Sequence, residues 1–308
     1  MTPKTAFLFP GQGSQFAGMG KSLAETFAAA RRVFEEADQV LGFALSRLCF
    51  EGREDELKLT ENTQPALLTV SVAALAVLRE TGVAPDIVAG HSLGEYSALV
   101  AAGSLQFADA VKLVRNRGRY MQEAVPAGIG AMAALLKLPD DKLAGVLAEA
   151  AQGELVSAAN LNTPEQLVIA GHAGAVNRAI GLAKAAGARR GVLLPVSAPF
   201  HCALMKPAQD RLRVDLDATE FRDLDCPLVN NWQAAVIRTG AEAREGLYQQ
   251  VPNPVRWVES VRLLKAQGVG RCVEVGAGGV LTGLLKGIEP SLPGFRFGEP
   301  NELAAIER

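Results

Sequence analysis

Short apolar runs alternate with amphipathic stretches along most of the chain. Ala6-Phe7-Leu8-Phe9 is apolar at every position, the pattern of a strand covered on both faces. Asp86-Ile87-Val88-Ala89 also reads as a buried strand, and Leu228-Val229 and Cys272-Val273-Glu274-Val275 read as strands. Between these runs the spacing is helical. Residues 21–48 predict helix, with loops around Gly42 and Gly52. Pro65 to Leu78 is the most apolar stretch, yet it is too short to span a bilayer and contains Thr69 and Ser71, so it predicts a buried helix. Thr63 or Asn62 is expected to cap it, with Pro65 in its first turn. From about Phe107 to Glu123, Phe107, Ala110, Val111, Val114, Gly118 and Met121 fall on one helical face. Pro254 to Gln267 predicts another helix, and Gly276-Ala277-Gly278-Gly279 leads into one that ends near Gly287.

The pattern changes after Pro126 and Gly128. Ala131 to Leu136 reads as a strand, Asp140 to Ala151 as a helix, and Glu154 to Ala159 as a strand. Gln166 to Ala170 is a further strand, Ala173 to Ala186 a helix, and Val192 to Val196 a last strand. The order βαββαβ is that of a ferredoxin-like unit. The chain leaves it at Pro195 to Pro199 and resumes the earlier alternation. A small domain, residues 128–198, is therefore predicted as an insert in a discontinuous main domain, residues 1–127 and 199–308. Alternating strands and helices in the main domain predict an α/β fold with a largely parallel sheet. The tail after Pro290 reads as loosely packed.

Composition narrows the class. The 308 residues are 49% apolar and 21% charged, as in soluble globular proteins. A net charge of −2 points to neither nucleic acid nor membrane as a partner. Cys49, Cys202, Cys226 and Cys272 are scattered without C-x-x-C spacing, which argues against a zinc site and for reduced thiols. The N-terminal stretch has only four apolar residues before Pro10, so no signal peptide is expected and the cytoplasm is the expected setting.

Against that background one stretch carries chemistry. Gly90-His91-Ser92-Leu93-Gly94 follows a buried strand and precedes Glu95-Tyr96-Ser97-Ala98-Leu99-Val100-Ala101-Ala102, a run of mostly good helix formers. Strand, sharp turn and helix with a serine at the tip form the pattern of a nucleophile elbow. Glycines two residues to each side allow close packing, and the helix N-terminus offers free N–H groups to negative charge forming beside Ser92. An earlier glycine-rich loop, Pro10-Gly11-Gln12-Gly13-Ser14-Gln15, begins like a dinucleotide fingerprint, but Phe16 stands where that pattern needs glycine. The loop is either a plain connection or the source of a second oxyanion donor.

Two further residues stand out. Arg117 lies in the buried row Ala110, Val114, Arg117, Met121. A buried guanidinium must have an acceptor, either an internal carboxylate or one brought by a substrate. The chain has three histidines to serve as a base for Ser92. His91 adjoins the serine on a strained turn, so its side chain is expected to point away. His172 lies inside the small domain, where a surface role is the default. His201, in Ala198-Pro199-Phe200-His201-Cys202, follows the exit from the small domain and borders any cleft between the domains, which leaves it as the candidate.

Taken together, these stretches resemble the bacterial malonyl-CoA:acyl carrier protein transacylases of type II fatty acid synthesis. The resemblance runs to about residue 288. It rests on Phe9 to Gln15, Thr63-Gln64-Pro65-Ala66, Gly90 to Ala98, Arg117-Gly118, Asn160 with Asn162, Gly171-His172, His201 to Met205 and Asn253-Pro254-Val255. It implies an α/β-hydrolase-like main domain with the ferredoxin-like insert. It implies Ser92 as nucleophile, His201 as base and the backbone carbonyl of Gln250 as the group that orients His201. Arg117 then holds the malonyl carboxylate, the N–H groups of Gln12 and Leu93 form the oxyanion hole, Gln64 sits near the pocket, and Asn160 and Asn162 lie toward coenzyme A. Phe200, which is Ser in some relatives, favours malonyl over methylmalonyl. The chain departs from the family at Gly276 to Gly279, where Gly-Pro-Gly-Lys is common. Malonyl-CoA and holo acyl carrier protein are the implied partners, with no metal or redox cofactor and a monomeric chain. A malonyl transferase serving a polyketide synthase or a malonate decarboxylase carrier protein is the alternative, and Arg189, Arg190 and Lys286 are the candidate carrier contacts. A hydrolase on the same scaffold would have no use for Arg117, and a non-catalytic acyl-binding module would not need both Ser92 and His201.

Overall fold

The computed structural model describes residues 4–196 and 198–307, so Ser197, within the exit from the small domain, lies outside the described residues, as do Met1 to Pro3 and Arg308. Among the described residues, ten strands form two sheets: β1 Lys4–Phe9, β2 Ile87–Gly90, β3 Gly130–Leu136, β4 Val156–Thr163, β5 Gln166–His172, β6 Arg190–Leu193, β7 Leu228–Val229, β8 Val236–Ile237, β9 Val269–Val275 and β10 Gly294–Phe297. The larger sheet runs β10-β9-β1-β2-β7-β8. It is parallel except for β8, which pairs antiparallel with β7. The smaller runs β4-β5-β3-β6 and is antiparallel throughout.

The unbroken apolar runs follow from layering. Phe7 and Phe9 of β1 face a core with Met19, Phe34, Leu67 and Leu99, while Ala6 and Leu8 face Trp257, Val261, Leu281 and Leu285. Both faces of the parallel sheet are thus covered, which is why its central strands are apolar over most of their length. The antiparallel sheet presents Ala133, Leu135 and Ile169 to Val146, Val176, Ala179 and Ala183 of its own two helices. Its other face, with Met132, Ala134, Val168 and Ala170, joins the main core, which brings the two sheets to a common cleft.

Several sequence expectations shift. The long buried helix runs Thr60–Glu80, so Pro65 lies inside it rather than in its first turn. Neither Asn62 nor Thr63 caps it. Thr63 Oγ1 donates to the carbonyls of Leu57 and Leu59, and Asn62 Nδ2 donates to that of Glu56. These side chains serve the preceding turn, which extends the helix backwards. The Pro254 to Gln267 stretch is helical only over Trp257–Ala266, because Pro254 to Arg256 run beside β4, where Val255 bridges Asn160. The tail after Pro290 is packed, not loose. β10 pairs with β9, Phe297 is fully buried, and Ile306 of the closing Leu303–Ile306 helix is buried too. Among the described residues, no helix is long and apolar enough to cross a membrane.

Candidate active site

The site forms where β1 and β2 end side by side, with Phe9 opposite Gly90. The chain turns sharply from β2 into the Gly94–Ala101 helix. A Cβ on Gly94 would lie 1.9 Å from the Phe9 carbonyl oxygen, and one on Gly90 would lie 2.0 Å from the Gly94 carbonyl, so the turn closes only over glycine. Ser92 takes a left-handed φ of 52°, a conformation that a non-glycine residue holds only where its surroundings impose it. Asn231 does so. Its Oδ1 accepts from the Ser92 N–H at 2.6 Å, and its Nδ2 donates to the Gly90 carbonyl at 2.6 Å.

His201 is the histidine that reaches the serine. Ser92 Oγ and His201 Nε2 are 2.7 Å apart, and His201 Nδ1 lies 3.0 Å from the Gln250 backbone carbonyl. The carbonyl can only accept, so Nδ1 carries the proton and Nε2 is free to take one. Burial, then the Arg117 cation, pushes the His201 pKa down to about 3, so the imidazole is neutral at working pH. His201 also holds a left-handed φ, of 57°. The other two histidines turn elsewhere. His91 Nε2 lies 2.9 Å from Asn162 Oδ1 and its ring meets Trp257 edge-on, while His172 Nδ1 accepts from the Leu155 N–H.

Arg117, 1% exposed, reaches the same point from the Phe107–Glu123 helix. One terminal nitrogen donates to Gln64 Oε1 at 2.7 Å; the other donates to Gln250 Oε1 at 2.8 Å and to Ser92 Oγ at 3.1 Å. Its Nε has no acceptor among the described residues, and the guanidinium lies 5.5 Å from the centre of the Tyr96 ring. All three acceptors are neutral. Of the two partners the sequence left open for Arg117, no internal carboxylate touches it among the described residues.

Gln12, Gln64, His91, Ser92, Leu93, Arg117, Asn160, Phe200 and His201 line one pocket, joined by Met121, Met132, Leu194 and Val196. Gln250 acts from behind it. Asn162 is not in its wall; it ties His91 to the antiparallel sheet. Arg189 and Arg190 lie apart, in a second depression shared with Lys137, Thr163 and Glu165. The sequence reading missed Glu95 and Asn231. Glu95 is fully buried and its Oε2 accepts from Gln250 Nε2 at 2.8 Å and from the Asn231 N–H at 3.0 Å. A lone acid on an otherwise apolar helix was its signal; Asn231, just past β7, gave none.

A neutral imidazole on a strained serine, beside a buried cation, is equipped to move a negatively charged acyl group. Comparison with known proteins agrees. Residues 6–286 match the family model described as acyl transferase domain, and the chain belongs to that family of acyltransferases. It is 51% identical over 301 residues to the malonyl CoA-acyl carrier protein transacylase of Bacillus subtilis (strain 168), covering 97% of this chain and 95% of that one. The crystal structure of an acyl carrier protein S-malonyltransferase from Vibrio cholerae O1 biovar eltor superposes with a TM-score of 0.96 at 48% identity, covering 98% of this chain and 99% of that one. A malonyl-transacylase solved in complex with its type II PKS acyl-carrier protein gives 0.96 at 47%, over 98% of each chain. Within the acyltransferases, the chain is one of the malonyl CoA-acyl carrier protein transacylases.

Proposed function

We propose that this enzyme carries a malonyl group from malonyl-CoA to the phosphopantetheine thiol of acyl carrier protein through a malonyl-serine intermediate, supplying fatty acid synthesis. The observation that carries the reading is Arg117, a buried cation held among the described residues by neutral oxygens and 3.1 Å from Ser92 Oγ. His201 Nε2 takes the hydroxyl proton as Ser92 Oγ attacks the thioester carbonyl, and the Gln250 carbonyl steadies the imidazolium that forms. The N–H groups of Gln12 and Leu93 stabilise the oxyanion. His201 gives its proton to the departing CoA sulfur. The carrier thiol then repeats the sequence in reverse and leaves with the malonyl group. Throughout, Arg117 holds the distal carboxylate, with Gln64 and Gln250 fixing the plane of the guanidinium.

The finer architecture belongs to the same proposal. Residues 1–127 and 199–308 form an α/β-hydrolase-like catalytic unit, and residues 128–198 a ferredoxin-like unit whose sheet closes the cleft. Asn160 and Phe200 line the pocket, with Asn160 and Asn162 toward the CoA side. The enzyme works as a cytoplasmic monomer without metal or redox cofactor. The carrier approaches Arg189 and Arg190, with Lys286 contributing. A polyketide carrier is the second reading, favoured by the likeness to the transacylase solved with a type II PKS acyl-carrier protein.

One labelling experiment tests the core. Wild type, Ser92→Ala and Arg117→Ala are mixed with radiolabelled malonyl-CoA or acetyl-CoA, and acyl-enzyme is counted after denaturation. Ser92→Ala should retain no label. Losing a charged contact costs about 1.5–3 kcal/mol, so Arg117→Ala should depress malonyl loading relative to acetyl loading by about tenfold to a hundredfold. Because Arg117 also touches Ser92 Oγ, acetyl loading falls somewhat as well, and the ratio is the readout. Equal losses for both acyl groups would reduce Arg117 to a structural cation.

A further inference from the structure

A buried guanidinium with no carboxylate touching it must draw its countercharge from further away. One amide separates Arg117 from Glu95. Gln250 turns its Oε1 to the Arg117 guanidinium at 2.8 Å and its Nε2 to Glu95 Oε2 at 2.8 Å, so the negative end of the amide faces the cation and its positive end the anion. The same Nε2 also donates to the Ser92 carbonyl at 3.0 Å. Both hydrogen bonds to Glu95 end on Oε2, and Oε1 has no partner among the described residues.

The surroundings of Glu95 hold little other charge. Arg117, on the Phe107–Glu123 helix, is the cation that acts on it. Tyr96, its neighbour, is titratable but kept protonated by burial. Gln250 and Asn231 offer amides, and Gly246 offers bare backbone near Oε1. Burial pushes the Glu95 pKa up to about 7, against the pull of Gln250, Asn231 and Arg117.

We propose that Glu95 is a positioning residue that balances Arg117 through the Gln250 amide and thereby sets how strongly the site prefers an acyl group bearing a carboxylate. A carboxylate in direct contact would occupy the donors that the substrate needs. A carboxylate one amide away does not pair with the guanidinium and only weakens the field it projects. Ionised Glu95 therefore moderates the grip on malonyl, and neutral Glu95 tightens it. The inference rests on the malonyl reading of the site.

The hydrogen-bond pattern permits a clean test. Because Oε2 takes both bonds, the amide oxygen of Glu95→Gln can accept both, so the variant removes charge and keeps the contacts. The measurement is kcat/KM for acyl-enzyme formation from malonyl-CoA and from acetyl-CoA, between about pH 6 and about pH 8.5. His201 serves both substrates, so its titration cancels in the ratio. In wild type the malonyl-to-acetyl ratio should fall as pH rises through about 7. The fall should be about tenfold or somewhat more, the reach of a charge at this remove through an effective dielectric near ~20. Glu95→Gln should hold the high, acid-side ratio at every pH. A wild-type ratio that does not change with pH overturns the inference without recourse to any variant. So does a Glu95→Gln ratio that tracks wild type, since Glu95 would then be only a hydrogen-bond acceptor. If instead wild type shows no malonyl preference, or Arg117→Ala leaves it intact, the malonyl reading itself falls.

Discussion

Two strand-to-helix junctions flank β1, and they are built in opposite ways. β2 enters the Gly94–Ala101 helix through Ser92, which carries a side chain at a φ of 52°. β9 enters the Val280–Ile288 helix through Gly276 and Gly278, which take φ values of 129° and 81° without penalty. Each junction buries a glutamate. At β9, Glu274 spreads its load: Oε1 accepts from the Leu281 N–H at 2.9 Å and Oε2 from the Thr282 N–H at 2.7 Å, satisfying the helix start. At β2, Glu95 concentrates both bonds on one oxygen and leaves the other without a partner among the described residues. The β9 junction is a fastening, complete within itself. The β2 junction is incomplete alone, and Asn231, Gln250 and Arg117 reach it from distant parts of the chain. Strain and unmatched charge collect where the serine is, and relaxed geometry where it is not.

The strongest way to break the contrast is to crowd the strained junction. Gly94→Ala drives a Cβ to 1.9 Å from the Phe9 carbonyl oxygen, backbone against backbone, with nothing flexible to give way. Overpacking of this kind costs about 3 kcal/mol or more, so the variant should unfold many degrees below wild type in a thermal melt, or fail to accumulate. A melt within a degree of wild type would mean that the elbow has slack and that Ser92 is not held under constraint.

A smaller effect separates the two glutamates. Glu274→Gln can present only one acceptor to two N–H groups, and its amide N–H₂ meets a donor. The unsatisfied N–H and the lost anion at the helix start should cost about 1–3 kcal/mol. The same exchange at Glu95 keeps both of its bonds. Urea denaturation of the two variants side by side should therefore find Glu274→Gln the less stable, with Glu274 serving stability and Glu95 serving selectivity. Equal losses would erase the distinction between the junctions.

How far the sequence reaches is uneven for a physical reason. The elbow and the Phe107–Glu123 helix are written in contiguous residues, and both appear where the pattern puts them. The Lys206–Ala218 and Gly240–Gln250 helices escape notice because few of their buried positions carry apolar side chains: Ala208, Leu212 and Leu216 in the first, Ala243 and Leu247 in the second. β10, with Gly294 and Arg296, becomes a strand only by pairing with β9. The acceptors of Arg117 lie 25, 53 and 133 residues away, beyond any local pattern. The group that steadies His201 is a backbone carbonyl, which has no residue signature; only the family resemblance pointed to Gln250.

The gentlest test falls on the relaxed junction, at the loop where this chain departs from Gly-Pro-Gly-Lys. Gly279 has a φ of −161°, outside the left-handed region that favours glycine. An added Cβ would come within 2.6 Å of Arg296 Cδ and 2.9 Å of one of its terminal nitrogens. Both belong to a long side chain about half exposed and bridged to Glu302 at 3.3 Å, an ion pair of the kind worth about 1 kcal/mol or less. Arg296 can swing toward solvent at about that cost. Gly279→Ala should therefore melt within a few degrees of wild type and load malonyl at an unchanged rate, since this loop touches neither Ser92 nor Arg117. The two junctions then answer the same exchange, glycine to alanine, with a collapse at Gly94 and almost nothing at Gly279. A large drop in loading rate for Gly279→Ala, with the melt preserved, would show instead that the β9 junction feeds the active site, and that its glycines are there for more than a turn.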